Sequence, residues 1–239
     1  MIERWKNLIQ GRSPSRGVVT TITLVSLSLA LLLVMSCAPV SLYTIDLRYS
    51  PTATSVPQVT EKGKAFVVTV ARFNDVRNVE DKLVIGKVVK SNGKNIPILP
   101  KYTKPVDVIL KGMQAYLEDI GYEVSSETPQ WDLTKESIDK EWEDVLIGGT
   151  IDAFEVVCLK GIPVKKYRTK VKFTVYFADV KRQKIFYKIA VETKPSLEHV
   201  RFNEKMLAKQ INGGMTEAIE KIFEGRDIYE KIQAALDEA

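Results

Sequence analysis

Apolar residues along this 239-residue chain fall into several short runs and two long periodic segments. Residues 65–73 are apolar at both odd and even positions, which is typical of a strand buried on both faces in the middle of a sheet. Residues 82–89 and 95–99 form two further apolar runs on either side of Asn92-Gly93. An Asn-Gly pair between two such runs predicts a tight β-hairpin.

Two longer segments, residues 105–120 and 202–223, repeat apolar side chains at spacings of three and four. This period predicts amphipathic helices that bury one stripe against a sheet. Pro105 suits the first turn of the earlier helix, and Gly121 suits its end. Gly225 is expected to end the later helix, and Asp227 is expected to cap a terminal turn.

Between the helices, residues 144–159, 165–178 and 183–193 predict three long strands separated by turns, in the order of an antiparallel meander. The polar segment 128–143, with Trp131, is expected to be a loop with a short helix. The order of strand, hairpin, helix, three strands and helix predicts an α+β fold. We expect a two-layer sandwich with a mainly antiparallel sheet and two long helices on one face.

The N-terminus has a different pattern, with four basic residues followed by an uncharged apolar run over residues 18–35 and then Ser36-Cys37. This arrangement is typical of a bacterial lipoprotein signal peptide, whose cleavage leaves the cysteine as the lipidated first residue. An uncleaved anchor helix is the alternative, because about 18 apolar residues are the lower end of what spans a bilayer. Ala38, and not Asp, follows the cysteine, which by resemblance to enterobacterial lipoproteins points to the outer membrane.

These patterns divide the chain into a signal peptide (1–36), a lipidated tether (37–63) and a single α/β periplasmic domain (64–239). The tether contains Pro39, Pro51 and Pro57 with many Ser and Thr residues, which is typical of an extended linker. Residues 42–49 have the composition of a strand, so this part of the tether is also able to join a sheet edge.

Charge and cysteine content narrow the classes of function. Of the 35 Lys and Arg residues, four lie in residues 1–36, against one of the 30 Asp and Glu residues, so the predicted mature chain has a net charge of only +2. Nucleic-acid binding therefore loses its main support. With Cys37 lipidated, Cys158 is left as a lone thiol, so no intramolecular disulfide is expected.

Several short motifs occur in order along the chain: Cys37, Phe66-Val67-Val68-Thr69-Val70, Asp75-Val76-Arg77 and Gly121-Tyr122-Glu123-Val124. Together with the strand at 145–154, the meander and the final helix, they resemble the YajG family of uncharacterised bacterial lipoproteins. The resemblance implies a lipoprotein that faces the periplasm, with no established enzymatic activity and no catalytic residues to carry over. The layout is also similar to small α/β domains of periplasmic assembly proteins, which bind partner proteins.

The predicted strand at 165–178 offers the main candidate binding surface. Alternation places Arg168, Lys170, Lys172 and Tyr176 on the face opposite its apolar residues, so this face is expected to be basic with an aromatic at its edge. These four residues are the candidate partner contacts, either for an acidic protein or for anionic lipid headgroups. The alternative is an ordinary solvated sheet face.

Other chemically capable residues favour structural roles. Asp75 and Arg77 are expected to form an ion pair that anchors a loop, because two such groups alone do not supply a catalytic constellation. His199 is the single histidine and is expected in a surface turn, and Cys158 is expected to be a buried structural thiol. Gly148-Gly149 is interpreted as a bulge or as the close approach of a helix to the sheet, and Gly213-Gly214 as tight packing of the final helix against the sheet or as a kink.

The sequence therefore predicts a membrane-anchored lipoprotein that acts as a non-catalytic protein-binding or envelope-assembly module. No cofactor and no metal site are expected, and the partner is expected to be an envelope protein. The alternative is an accessory lipoprotein for lipid or glycolipid transport, which would require an apolar groove between the helices and the sheet. An enzyme is the third and least supported hypothesis.

Overall fold

The computed structural model describes residues 41–51, 66–224 and 226–237. The predicted signal peptide, Cys37 and Gly225 lie outside these residues. Within them, ten strands form one sheet. The strands are β1 (Tyr43–Ile45), β2 (Val67–Val70), β3 (Asn74–Asp75), β4 (Gly86–Val89), β5 (Asn95–Pro100), β6 (Glu123–Val124), β7 (Val145–Lys160), β8 (Lys165–Asp179), β9 (Lys184–Thr193) and β10 (Ser196–His199). The helices are α1 (Pro105–Asp119), α2 (Glu204–Phe223) and α3 (Arg226–Asp237).

The 16-residue strand β7 organises the sheet, because strands pair with it along both of its edges. On one edge, β2, β3 and β4 follow each other and all run parallel to β7. On the other edge, β8 runs antiparallel over the full length of β7, from Val145↔Asp179 to Lys160↔Lys165. Residues 65–73 were expected in a central strand, and β2 does lie between β6 and β7.

The predicted hairpin and the predicted meander are both confirmed. β4 and β5 pair antiparallel around Asn92-Gly93, where Gly93 has a φ of 79° that the turn requires. β7, β8 and β9 pair antiparallel in sequence order. The sheet as a whole is mixed, because the strands before residue 130 reach β7 by parallel pairing. The expected α+β class is therefore confirmed. The three long strands β7, β8 and β9 pair antiparallel, as expected, whereas β2, β3 and β4 pair parallel with β7.

The main hydrophobic core lies between the sheet and the helices α1 and α2. Both helices present their apolar stripes to it, with Met113 and Leu117 from α1 and Ile211 and Met215 from α2 fully buried. Asn203 caps α2 by accepting a hydrogen bond from the backbone N–H of Lys205. Complete burial of these side chains provides the apolar contact that holds both helices on the sheet.

A second, smaller core covers part of the opposite side of the sheet. Trp131 and Ile138, from segment 125–143, pack there against Leu146 and Ala178. The segment forms turns instead of the expected short helix. The indole N–H of Trp131 donates to the carbonyl of Thr134, 2.8 Å away, so the ring is satisfied in a local turn. Part of this side of the sheet is thus covered by a loop. A strict two-layer arrangement therefore does not describe the whole domain.

Part of the segment that was assigned to the tether belongs to the folded unit, which begins at Leu42. β1 pairs parallel with β5, as the strand composition of residues 42–49 allowed. Lys160 at the end of β7 holds this edge, because its ammonium donates to the Tyr43 hydroxyl (3.1 Å) and lies 3.6 Å from the centroid of the Phe202 ring. Residues 43–45, which were assigned to the tether, are therefore part of the sheet.

Candidate functional site: the open face of the sheet

We call the part of the sheet that lies opposite α1 and α2, and that segment 125–143 does not cover, the open face. It is built by the alternation along β8, as predicted: Val171, Phe173 and Val175 are fully buried toward the helices. Arg168 is exposed and Lys170 and Lys172 are half-buried on the other side. The three cations therefore share one surface, which is formed by the adjoining ends of β7 and β8.

The charge of the open face is mixed and not basic, which corrects the sequence prediction. Acidic residues on neighbouring strands lie opposite the lysines: Glu155 of β7 is in register with Lys170, and Glu192 of β9 is in register with Lys172. The ammonium of Lys170 lies 3.5 Å from a carboxylate oxygen of Glu192. Alternation along one strand does not reveal these partners, because they come from strands that the fold brings alongside.

Tyr176 differs from the three cations because its ring contacts Trp131 and Lys188. Its ring packs edge-to-face on Trp131, with centroids 6.4 Å apart, and the ammonium of Lys188 lies 4.7 Å above it. It therefore forms the border between the open face and the smaller core. Arg168, Lys170 and Lys172 are brought together as predicted, whereas Tyr176 is half-buried in a packing role.

A cleft of about 510 Å³ lies at the end of the open face. Its floor is the ladder of β4 and β7, and its wall is the loop 76–84. Exposed apolar side chains project from this loop, including Val76, Val79 and Leu83. Val79 and Val84 of this loop line the cleft itself, so apolar and charged groups occur together there. The charged residues that line it are Arg77, Lys87, Asp152, Glu155 and Lys170.

The loop that walls the cleft is fixed by Asp75 and Arg77. The Arg77 side chain is 3% exposed and donates from Nε and Nη2 to the two carboxylate oxygens of Asp75, at 2.9 and 2.7 Å. Its Nη1 donates to the carbonyls of Val84 (3.1 Å) and Phe154 (3.2 Å). One guanidinium therefore ties both ends of the loop to β7, which is the anchoring role that the sequence indicated.

Electrostatics in this pair favour the ionised carboxylate. Burial alone would raise the pKa of Asp75, but hydrogen bonds and positive charge from Arg77 outweigh it and hold the pKa below its ordinary value. Lys82 adds a further cation, 3.8 Å from Asp75. The pair is therefore charged throughout the neutral range, and the loop remains anchored there.

Asp152 lines the cleft and was not among the candidate residues expected from the sequence. It lies at a register shift between Ile151 and Ala153, where β7 bulges against β8. Its carboxylate accepts hydrogen bonds from the hydroxyls of Thr150 (2.7 Å) and Thr174 (2.6 Å). The bulge turns this acid into the cleft. The sequence does carry a signal for the bulge, because the apolar positions of β7 change from odd numbers, ending at Ile151, to even numbers, beginning at Phe154.

Gly214 has the close packing that was expected, whereas Gly148 and Gly149 accommodate a loop tryptophan and the neighbouring strand instead of a bulge or a helix. A Cβ on Gly148 would lie 2.6 Å from the Trp131 ring, and one on Gly149 would lie 2.3 Å from the carbonyl oxygen of Thr174. Gly214 packs α2 closely against Thr169 of β8. Gly213 has nothing within 4 Å of its would-be Cβ, so close packing does not explain it.

His199 lies in β10 and not in the expected surface turn. It pairs with Lys165 at the edge of β8 and is exposed. Its Nδ1 is 2.8 Å from the carbonyl oxygen of Arg201. The strand was missed because its four residues contain one aliphatic side chain, Leu197, and carry no clear alternation.

Cys158 is fully buried in the main core. Burial raises the pKa of its thiol, and the hydrogen bond from Tyr167 and the charges of Lys160 and Lys165 do not overcome this effect. A thiol with a raised pKa is a weak nucleophile at neutral pH, which agrees with the structural role predicted for it.

We expect Cys158 to react with a disulfide reagent such as DTNB at least ~100-fold more slowly in the folded protein than in denaturant, because both access and ionisation are suppressed. The measurement uses a Cys37→Ser variant, so that one thiol remains. Rapid labelling of the folded variant at neutral pH would contradict the buried, un-ionised thiol.

The described residues contain neither a membrane-spanning helix nor a cluster of metal-binding side chains. In ranges 41–51, 66–224 and 226–237, no helix is both long and apolar enough to cross a membrane. The same part of the chain holds no group of three or more His, Cys, Asp or Glu side chains with the geometry to bind a metal ion.

Comparison with known proteins shows the fold but no family. No family model and no curated protein matches the chain. The protein XCC0632 from Xanthomonas campestris, of family DUF330, superposes with a TM-score of 0.50 at 11% identity, over 83% of this chain and 99% of its own. This likeness shows a shared fold and carries no activity with it.

Two further solved structures are more distantly similar. A putative neuraminyllactose-binding hemagglutinin homolog from Helicobacter pylori gives a TM-score of 0.44 at 12% identity, over 80% of this chain and 100% of its own. Lipoprotein GNA1162 from Neisseria meningitidis gives a TM-score of 0.35 at 12% identity, over 63% of this chain and 96% of its own.

Proposed function

We propose that this protein is a lipid-anchored lipoprotein of the bacterial envelope that binds a protein partner through the open face and acts without catalysis in envelope assembly. In this proposal Cys37 carries the lipid, including palmitate, and the domain faces the periplasm from the outer membrane. The observation that supports it most is the cleft. An anchored loop with exposed apolar side chains stands next to paired charges, and protein interfaces combine such apolar and polar groups.

The charged floor of the cleft favours a protein partner over an apolar ligand. Lys170 lies near both Glu155 and Glu192, so a partner that presents an acidic group competes with acids already in place. Such an arrangement gives specificity through complementary charge pairs more than through overall charge. We expect an acidic partner to contact Arg168, Lys170 and Lys172.

The lipid-transport alternative receives no support from the described residues. The layer between sheet and helices, where such a ligand would need a groove, is filled by fully buried side chains that include Met113, Ile211 and Met215. The cleft on the other side of the sheet has apolar residues in its lining, but five charged residues line it as well. Lipid acyl chains require a mainly apolar pocket.

Charge reversal on the open face tests the proposal. We place a photo-crosslinking residue at Val79, beside the cleft, in intact cells and compare the otherwise unchanged protein with Lys170→Glu/Lys172→Glu. The double variant is expected to lower the yield of the specific crosslinked product about fivefold or more, which corresponds to a loss of roughly 1 kcal/mol of binding free energy.

Lys205→Glu/Lys209→Glu is the matched control, because these exposed lysines lie on α2, on the other side of the sheet. It reverses the same charge and should leave the crosslinked product unchanged. Equal loss in both double variants, or unchanged yield in both, would contradict binding at the open face. A Cys37→Ser variant should release the protein from the membrane and lower the yield in cells while leaving binding to the purified partner intact.

A further inference from the structure

The outer edge of β9 has no strand neighbour among the described residues. β9 pairs with β8 in unbroken register from Val171↔Thr193 to Phe177↔Tyr187, and the irregularity of this pair lies beyond that stretch. Residues 187–193 contain no proline. Proteins commonly protect an exposed strand edge with a proline, a bulge or a covering loop. This stretch of β9 has a regular backbone that is suited to pairing with another strand.

The sequence of β9 is complementary to itself when two copies run antiparallel with Ala190 at the centre. Residues equally distant from Ala190 then face each other, so Lys188 of each copy lies opposite Glu192 of the other. On the helix side, Ile189 lies opposite Val191. Opposite charges and branched apolar residues are favourable cross-strand pairs.

The exposure of these side chains agrees with such a pairing. Lys188, Ala190 and Glu192 are exposed on the side of the open face, and the small side chain at the centre leaves room for close approach of two backbones. Ile189 is half-buried on the helix side, where a second copy would cover it.

Charge disfavours the registers centred two residues away, on Lys188 or on Glu192. Centring the pair on Lys188 would place Lys188 opposite itself, and centring it on Glu192 would place two glutamates together. Like charges directly opposite each other destabilise a strand pair. Within one chain the ammonium of Lys188 lies over the Tyr176 ring, whereas Glu192 contacts Lys194 at 2.9 Å and Lys170 at 3.5 Å. In the dimer, Lys188 of one copy lies opposite Glu192 of the other, a carboxylate that already forms ion pairs with lysines of its own chain.

We propose that two copies of this chain associate edge to edge through β9, antiparallel and centred on Ala190, to form one continuous sheet across a two-fold axis. Because the axis is perpendicular to the sheet, the two open faces lie side by side on the same side of the dimer. This self-association does not depend on the partner-binding role proposed above.

Disulfide trapping tests the register directly. The full chain with Ala190→Cys is produced in cells, and membranes are treated with a mild oxidant such as copper phenanthroline. In the proposed register the two introduced thiols meet across the axis, so a disulfide dimer is expected on a non-reducing gel. Ser196→Cys is the matched control, because Ser196 is exposed in β10 on the same edge of β8 but does not meet its own copy. The unsubstituted chain, with Cys37 and Cys158, gives the background.

Charge exchange tests the pairing itself. In the Ala190→Cys background, Lys188→Glu and Glu192→Lys are each expected to lower dimer trapping at least fivefold, because each places like charges together. The double variant restores opposite charges and should return trapping to within twofold of the parent. Absence of an Ala190→Cys dimer, equal trapping of Ser196→Cys, or a double variant as poor as the single variants would each overturn the proposal. Circular dichroism of each variant checks that the fold is intact.

Discussion

Arg77→Ala is expected to lower the free energy of unfolding by about 3–5 kcal/mol, the usual cost of removing one partner from a buried ion pair. The substitution leaves the Asp75 carboxylate, 11% exposed, without its guanidinium. It also removes the donor to the carbonyls of Val84 and Phe154. Urea denaturation of the purified domain, followed by circular dichroism, measures the change.

The pH dependence of this loss has a defined sign. The folded-state pKa of Asp75 is lowered, so its ionisation stabilises the native state above the unfolded pKa of about 3.9, and that contribution is lost as the pH falls through the folded value. The deficit of the Arg77→Ala variant should therefore be largest near neutral pH and shrink in acid. A deficit that is independent of pH would contradict the ion pair as its cause.

The exposed pair of Arg72 and Asp107 provides the control. Its side chains are 42% and 30% exposed, so Arg72→Ala is expected to cost less than about 1 kcal/mol. If both arginine variants lower the free energy of unfolding by the same amount, burial does not explain the contribution of Arg77 to stability.

Gly86→Ala is expected to destabilise the protein by roughly 3 kcal/mol or more. Gly86 has a φ of 149°, which side chains rarely adopt, and a Cβ there would lie 1.9 Å from the backbone oxygen of Val156. That oxygen belongs to β7, which is held by β8 on its other edge. The new methyl group can therefore be accommodated only by separating β4 from β7. Thermal and urea denaturation report the loss.

Gly213→Ala is the matched control for that substitution. Gly213 lies in α2 with nothing within 4 Å of its would-be Cβ, so alanine should raise stability by about 0.5–1 kcal/mol. A stabilising effect at Gly213 with a large loss at Gly86 would show that local geometry, and not glycine replacement as such, decides the outcome. Similar losses at both positions would contradict this account.

Local patterns were sufficient to predict most of the elements. The hairpin at Asn92-Gly93, the helix that begins at Pro105 and the three strands β7, β8 and β9 were all expected from short-range signals, and each is present within a few residues. Periodicity and turn residues determine such elements because the relevant interactions are between neighbours in the chain.

Features that depend on distant residues were not predictable in the same way. The parallel pairing of β2, β3 and β4 with β7 joins segments 60 or more residues apart, and nothing within a single strand specifies the partner. For the same reason the open face was expected to be basic. Glu155 and Glu192 neutralise it from neighbouring strands.

The central position of β7 also determines the order in which this chain is able to fold. β2, β3 and β4 precede β7 in the sequence but need it as their common neighbour, and β7 in turn needs β8. While the ribosome has made only the first half of the chain, the sheet lacks its centre, and the pairs that can form are the β4–β5 hairpin and the β1–β5 pair. Contacts so distant in sequence slow folding and delay it until synthesis is nearly complete.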